Sequence, residues 1–255
     1  MESNLILLLV VIALLVVFFT FSNYSFKSEI VSTAMVPTTT VPATIQPVSS
    51  TQLGERTVLM KMPAVDNDGN GVITLLTVEA RDGKGRVLTD VNSILFWVDT
   101  QYSIRTAQRV AQNDVNVNIS NIDIIYNIET NASLIEGPSA GASLTVATIA
   151  ALEGKSLNQS VMMTGTINSD GTIGAVGGIA EKAKAAKDVG AVLFLVPESQ
   201  GTQTSYKPVK DCQKIGSMTY CTTKYKKVTV DISKSVGIEV KEVSTVEEAL
   251  KYLLA

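Results

Sequence analysis

Residues 136–187 read EGPSAGASLTVATIAALEGKSLNQSVMMTGTINSDGTIGAVGGIAEKAKAAK and contain two helix starts marked by glycine. Pro138 fits the first position of a helix, where the N–H that proline lacks would have no acceptor. Small and apolar residues follow, and Gly154 predicts the end of this helix. Because the helix has almost no polar face, we expect it to be central and buried.

Ser139 lies in the first turn of this predicted helix. The N–H groups of a first turn have no intrahelical acceptor, and the helix dipole adds partial positive charge there. Since such groups stabilise a developing oxyanion, Ser139 is a candidate nucleophile beside an oxyanion site. The alternative interpretation is that this serine is an ordinary helix cap.

A second helix is predicted after Gly177 and Gly178, with Lys182 at the edge of its apolar face. Partial burial and the positive end of the helix both disfavour an ammonium ion, so we expect a lowered pKa for Lys182. A lysine with a lowered pKa serves as a general base. The alternative is a lysine whose ammonium group reaches water along the surface.

The chain contains no histidine, which removes the usual base for a nucleophilic serine and the commonest metal ligand. A serine paired with a lysine is the remaining hydrolytic arrangement. Two cysteines, at positions 212 and 221, do not make a zinc site without other soft ligands. We therefore expect no metal and no cofactor.

Several motifs resemble, in the same order, the proteolytic domain of the Lon proteases. They are GPSAG at 137–141, MTG at 163–165, GAVGGIAEKAKAA at 174–186 and VLFLVP at 192–197. Upstream, LLTVEARDGKGRVLTD at 75–90 and SIRTAQRV at 103–110 resemble the same domain. Lys182 follows Ser139 by 43 positions, which is the separation in that family. Ordered motifs at the right separation are a stronger signal than any one motif alone.

The resemblance implies an α+β fold, the Lon proteolytic-domain fold (ribosomal protein S5 domain 2-like), with mixed β-sheets and packed helices. It also implies a serine endopeptidase in which Ser139 and Lys182 form a catalytic dyad and act through an acyl-enzyme. Thr164 matches the family threonine that helps to orient the lysine. Glu136 is an auxiliary candidate, at a position where Lon-type domains often carry aspartate. Thr166 replaces the acidic residue that commonly follows MTG, so that carboxylate is absent here.

The sequence GKS at 154–156 does not complete a phosphate-binding loop, because Ile149 stands where that motif requires glycine. We therefore expect no ATPase module in these 255 residues and hydrolysis of unfolded proteins or peptides without ATP. The resemblance implies a homo-oligomer, namely a hexamer. The formal charge of −3 gives no electrostatic argument for nucleic acid, and we interpret the lysines at 224–227 as a solvated hairpin face.

Residues 1–22 are predicted to form a transmembrane anchor, because residues 5–21 are apolar at all but one position and just long enough to span a bilayer. Only Glu2 precedes this run as a charge, and no small-residue cleavage site follows it, which favours an uncleaved anchor over a signal peptide. Residues 23–53 are rich in Thr, Pro and Ser and predict an extended linker. The Lon-like protease domain is predicted over residues 54–255.

Residues 199–231 are predicted to be an insertion relative to the family pattern, with an irregular loop and a strand pair near its end. Within it, Cys212 and Cys221 are candidates for a disulfide that would staple a short hairpin. Disulfides and Thr/Pro-rich stalks are both more common outside the cytoplasm. We therefore expect a single-pass membrane protein whose protease domain is extracytoplasmic.

Hydrophobic periodicity predicts the other elements. The predicted strands are 73–80, 122–128, 160–167 and 191–196, and a predicted helix covers about 92–111. Near the end of the chain, Ser244 and Glu247 have the spacing of a capping box before a final helix.

Two other functions remain open at this point. One is a non-catalytic, membrane-tethered scaffold or binding protein that keeps a Lon-like fold. The other is a hydrolase of a small ester or amide, because a serine and lysine pair does not specify the acyl group. A comparison of unfolded proteins with small esters as substrates discriminates between these functions.

Overall fold

The computed structural model describes residues 54–90, 98–115, 117–130 and 137–255. The predicted anchor at 1–22, the predicted linker at 23–53 and Glu136 lie outside the described residues. Within the described ranges, no helix is both long enough and apolar enough to cross a bilayer.

Four strands form the first sheet, in the order β1-β2-β4-β3. They are β1 (Arg56–Val65), β2 (Gly71–Asp82), β3 (Val87–Thr89) and β4 (Ile122–Glu129). The three longer strands pair antiparallel, and β3 pairs parallel with β4. Every second residue of β2 from Thr74 to Ala80 is buried, as the period of a strand with one face on the core requires. The predicted strands at 73–80 and 122–128 are confirmed.

Helix α2 (Gly141–Glu153) is the centre of the domain, and all its residues up to Leu152 are buried. It follows a 3-10 turn at Pro138–Ala140 and ends at Gly154, whose φ of 68° is left-handed. The predicted end at Gly154 and the predicted burial are confirmed, whereas Pro138 begins the 3-10 turn and the α-helix itself begins three residues later than predicted. Because α2 is apolar on every side, it is enclosed by β1, β2 and two helices, α1 (Val98–Asp114) and α5 (Val246–Leu253).

A parallel sheet of order β11-β8-β5 carries the second half of the core. Its strands are β5 (Val161–Met163), β8 (Leu193–Pro197) and β11 (Glu239–Val243). Helices α3 (Ile179–Asp188) and α4 (Ile232–Val236) contribute Ile179, Ala183 and Ile232 to a cluster around Phe194 of β8. Helix α3 begins directly after Gly178, where the sequence predicts it. The sheets and packed helices give the mixed α/β content that the resemblance implies.

The strand predicted at 160–167 is interrupted. Strand β5 ends at Met163, and the short strand β6 (Thr166–Ile167) pairs antiparallel with β7 (Ile173–Gly174). Between β5 and β6 the backbone leaves the sheet pattern, because the Gly165 N–H donates to the carbonyl oxygen of Ser139 at 3.0 Å. The interruption therefore ties the sheet to the turn that carries the candidate nucleophile.

The prediction of an irregular loop within residues 199–231 is wrong. The segment forms one long hairpin, with β9 (Thr202–Ile215) and β10 (Met218–Asp231) in continuous one-to-one register. Its threonine, valine and tyrosine content favours strands. Gly216 has a φ of 62°, which a type II′ turn requires at its first central position. Cys212 lies opposite Cys221, and the structure joins them by a disulfide.

The capping box of the final helix lies one residue later than predicted. Thr245, not Ser244, caps α5 by accepting a hydrogen bond from the Glu248 N–H. The Glu248 carboxylate in turn accepts from the Ser244 N–H at 3.0 Å. Thr245 has the extended backbone of an N-cap, with φ −136° and ψ 159°, so the helical dihedrals begin one residue later than the spacing indicated.

A buried carboxylate supports the turn between β2 and β3 and was not predicted. Asp123 is 1% exposed and accepts hydrogen bonds from the Arg86 guanidinium and from the N–H groups of Lys84 and Arg86. These bonds, led by the one from the Arg86 side chain, hold the pKa of Asp123 well below its usual range. Gly83 is required beside it, because a Cβ there would lie 2.1 Å from the carboxylate carbon.

Candidate active site

Ser139 lies in the 3-10 turn that precedes α2 and is half-buried. Gly137, two residues earlier, has a φ of 101°, which strains any residue that carries a Cβ. The carbonyl oxygen of Ser139 accepts from the Gly165 N–H and, at 3.3 Å, from the Thr164 hydroxyl. The backbone of the candidate nucleophile is therefore held by the residues that follow β5.

Gly141, the last glycine of GPSAG, allows α2 to approach β6 closely. A Cβ at this position would lie 2.9 Å from the backbone nitrogen of Ile167 and 2.7 Å from a methyl carbon of its side chain. In the next residue, the Ala142 N–H donates to the carbonyl oxygen of Gly165 at 3.0 Å. Together these contacts fix the start of α2 against the MTG segment.

Lys182 is buried in the first turn of α3, with 4% of its surface exposed. Burial lowers the pKa of Lys182 to about 8, because an ammonium ion loses hydration inside the protein. Its Nζ donates to Thr164 Oγ1 at 3.3 Å. No carboxylate in the described ranges forms an ion pair with it. Such an amine is poised to exchange a proton near neutral pH.

One cleft of about 470 Å³ is lined by both Ser139 and Lys182. Thr164, which does not line the cleft, connects the two residues, since its hydroxyl accepts a hydrogen bond from Lys182 and donates one to the carbonyl oxygen of Ser139. The structure thus brings together three of the residues that the sequence singled out. Small and apolar residues and glycine backbone make up most of the remaining lining: Ala64, Val65, Gly137, Pro138, Thr166, Ala175, Val176, Gly177 and Gly178.

Of the three remaining predicted site residues, Cys212 and Cys221 lie on the β9–β10 hairpin and do not line this cleft. Glu136 lies outside the described residues.

Gln200 supports the cleft and was missed by the sequence analysis. Its side-chain amide accepts from the Val176 N–H at 2.9 Å and donates to the Val176 carbonyl oxygen at 2.8 Å. Val176 lines the cleft. The Gln200 amide therefore fixes this wall of the cleft by pairing with both backbone groups of Val176, as a neighbouring β-strand does. Ser199, the residue before it, has a φ of 64°, the one positive φ outside glycine among the described residues. Only three-dimensional proximity reveals this contact, because Gln200 follows Val176 by 24 residues.

A serine at a helix start, a buried lysine and a shared cleft define a class of protein, the serine peptidases that use lysine in place of histidine. Comparison with known protein families supports this class. Residues 74–228, more than half of the chain, match the model of the Lon protease (S16) C-terminal proteolytic domain. The chain belongs to the Lon protease family, in which a serine and a lysine form the catalytic dyad.

Individual relatives show the same similarity. The chain is 40% identical to a Lon protease of Lachnoclostridium phytofermentans over 76 residues, which are 30% of this chain and 9% of that protein. It is 39% identical over 80 residues to an archaeal Lon protease of Thermoplasma volcanium, covering 31% and 12% of the two chains. A Lon protease of Lawsonia intracellularis is 32% identical over 158 residues, covering 59% and 19%. The chain therefore spans only a small part of the length of these curated relatives.

The Gln200 contact generates a first prediction. In Gln200→Ala both hydrogen bonds to Val176 are lost, and each is worth about 1 kcal/mol. We expect the Val176 amide to exchange with deuterium at least about tenfold faster, measured by mass spectrometry or NMR on the full chain. Gln203→Ala, at an exposed position of β9, is the matched control and should leave this rate unchanged. Equal exchange at Val176 in all three proteins would show that Gln200 does not hold the cleft wall.

Proposed function

We propose that this protein is a membrane-anchored serine endopeptidase that hydrolyses peptide bonds of unfolded proteins or peptides without ATP. In this proposal Ser139 is the nucleophile and Lys182 is the general base. One observation carries it: a buried lysine with a pKa of about 8 shares a cleft with a serine at a helix start. Membership of the Lon family supports the same chemistry.

The reaction proceeds in two halves. Neutral Lys182 takes the proton of the Ser139 hydroxyl as its Oγ attacks the scissile carbonyl carbon, and the peptide C–N bond then breaks. The Lys182 ammonium gives its proton to the leaving amine, which departs and leaves an acyl-enzyme. A water molecule then attacks the ester carbon and passes a proton to Lys182. That proton returns to Ser139 Oγ as the carboxylic acid product is released.

The start of α2 supplies the oxyanion site in this scheme. The Gly141 N–H donates to the Pro138 carbonyl oxygen, and the Ala142 N–H donates to that of Gly165. The N–H groups of Ser139 and Ala140, which precede them at the helix start, are therefore the candidate donors to the oxyanion. Both are positioned by the same turn that carries the nucleophile.

Thr164 is the supporting residue of the dyad. Its hydroxyl hydrogen is directed to the carbonyl oxygen of Ser139, so the oxygen lone pairs face the Lys182 amine. Accepting a hydrogen bond from Lys182 orients this amine within the cleft. The role is one of positioning, because Thr164 is 1% exposed and does not line the cleft.

Family membership is the basis for proposing a polypeptide substrate. The cleft that would receive it is lined mostly by glycine, alanine and valine. The independence from ATP is proposed because the 255 residues contain no complete phosphate-binding loop. Family resemblance is the basis for proposing a homo-oligomer, with a hexamer as the expected state.

The apolar run at 5–21 is the basis for proposing a single-pass anchor. The linker of 31 residues at 23–53 reaches about 100 Å when fully extended. The pairing of Cys212 with Cys221 favours an oxidising compartment, and we therefore propose that the protease domain is extracytoplasmic.

Substitution of the dyad tests the proposed activity. The full chain should degrade unfolded casein without nucleotide, and Ser139→Ala or Lys182→Ala should lower the rate by about a thousandfold or more. Lys184→Ala, at an exposed position of the same helix, is the matched control and should keep the activity. Cleavage of small esters but not casein would favour the ester hydrolase. A folded protein inactive on both substrates would favour the scaffold.

The pH dependence tests the role of Lys182. Only the neutral amine accepts the serine proton, so kcat/KM should rise about tenfold per pH unit and level off above a midpoint near 8. In Thr164→Val the ammonium loses a hydrogen-bond acceptor, so the midpoint should fall below 8, whereas Thr164→Ser should restore it. A midpoint near 10, the ordinary lysine value, would contradict the buried general base.

Thiol alkylation tests the proposed compartment. In freshly isolated membranes labelled directly, without a prior thiol-blocking step, Cys212 and Cys221 should react with a mass-tagged maleimide only after reduction, because both sulfurs are bonded. The same protein reduced before labelling is the positive control and should carry two tags. Two tags without prior reduction would contradict an oxidising compartment.

A further inference from the structure

The β9–β10 hairpin is the largest feature that the proposed catalytic chemistry does not use. No residue of either strand is buried. Strands of this length extend about 45 Å. A two-stranded hairpin is marginally stable by itself in water, so an exposed hairpin of this length indicates an interaction surface.

The tip of the hairpin carries a group of exposed apolar side chains. Ile215 and Met218 face each other across the turn and are 66% and 76% exposed. The alternation of side chains places Tyr220 and Val209 on the same face, and they are 63% and 45% exposed. The end of this face, formed by Ile215, Met218 and Tyr220, is therefore an apolar patch in contact with water, and Asp211 and Thr222 separate it from Val209.

The hairpin is basic although the protein is acidic. Over residues 202–231 there are two aspartates and six lysines, whereas the whole chain has a formal charge of −3. One lysine, Lys224, is neutralised by Asp211 at 2.6 Å. The lysines are distributed from next to the tip towards the base: Lys214, Lys210, Lys224, Lys207, Lys226 and Lys227. An apolar tip with lysines behind it is complementary to a surface that is apolar inside and negatively charged outside.

We propose that the tip of this hairpin inserts into the interface of an anionic lipid bilayer. Ile215 and Met218 would enter the acyl boundary, Tyr220 would lie at the headgroup level, and the lysines would contact acidic headgroups. The proposal relies on the proposed anchor for proximity, since a linker of 31 residues lets the domain return to the membrane that holds it.

The backbone of the tip is suited to this environment. The ladder pairs β9 with β10 up to Ile215 and Met218, so the backbone groups between the strands are satisfied, whereas those on the two outer edges need water or headgroups and keep the tip at the interface. The Cys212–Cys221 disulfide joins the strands three residues behind Ile215 and Met218. It keeps the ribbon closed where the loss of pairing would expose backbone to lipid.

A tryptophan placed at the tip tests the proposal on the full chain. The background is Ser139→Ala, which prevents self-cleavage, with Trp97→Phe, which removes the single native tryptophan. Met218→Trp reports the tip, and Val192→Trp, at a 62% exposed position outside the hairpin, is the matched control. Vesicles of brominated phosphatidylcholine, alone or mixed with phosphatidylglycerol, quench only a tryptophan that reaches the acyl chains. Flotation of the vesicles reports the anchor separately.

We expect quenching of the Met218→Trp protein by at least about half in the anionic vesicles, little quenching in phosphatidylcholine alone, and none for Val192→Trp. Raised salt and the triple change Lys207→Gln, Lys210→Gln, Lys214→Gln should both reduce the quenching. If flotation and quenching both occur with anionic vesicles and neither occurs with phosphatidylcholine alone, the result supports insertion of the tip and contradicts the proposed transmembrane anchor. Flotation without quenching would support the anchor and overturn the tip proposal. A blue shift without quenching, equal in both lipids, would show that the tip packs against another copy of this chain and would also overturn the proposal.

Discussion

The structure of the candidate site depends on the connection between the end of strand β5 and the start of helix α2. Thr164, whose N–H still donates to Leu195 of β8 at 3.1 Å, and Gly165 both bind the backbone of the Ser139 turn, while Ala142 returns a hydrogen bond to Gly165. These contacts place the serine by main-chain hydrogen bonds. Thr164 also accepts from Lys182, so one residue sets the position of both members of the proposed dyad.

The burial of α2 explains why this connection is rigid. A helix whose residues are buried on every side cannot rotate or slide without opening the core around it. Gly141 and Gly165 complete the contact, because a Cβ at either position would meet Ile167 or Ile173. The glycines of the sequence motif therefore act through packing, and they fix the helix start whose N–H groups form the proposed oxyanion site.

Local sequence signals were sufficient to predict structure where neighbouring residues determine the backbone conformation. Pro138 predicted the turn that leads into α2, Gly154 predicted its end, and the absence of a polar face predicted its burial. Long-range contacts could not be inferred in this way. Asp123 and Gln200 are ordinary polar residues in the sequence, and their partners lie 37 and 24 positions away. A short hairpin was predicted within residues 199–231 but not its full length, since its strands bury no face and lack the apolar alternation that identifies a strand.

The way in which the hairpin joins the domain explains how the core tolerates it. Its two ends are adjacent, because the Ile232 N–H donates to the carbonyl oxygen of Gly201 at 3.0 Å. The Glu242 carboxylate fixes the same point by accepting from the Gly201 N–H. A segment with adjacent ends adds length without displacing β8 or α4. Gln200 lies directly before this junction and binds the cleft wall at Val176, so the hairpin base and the candidate active site share one fixed point of the backbone.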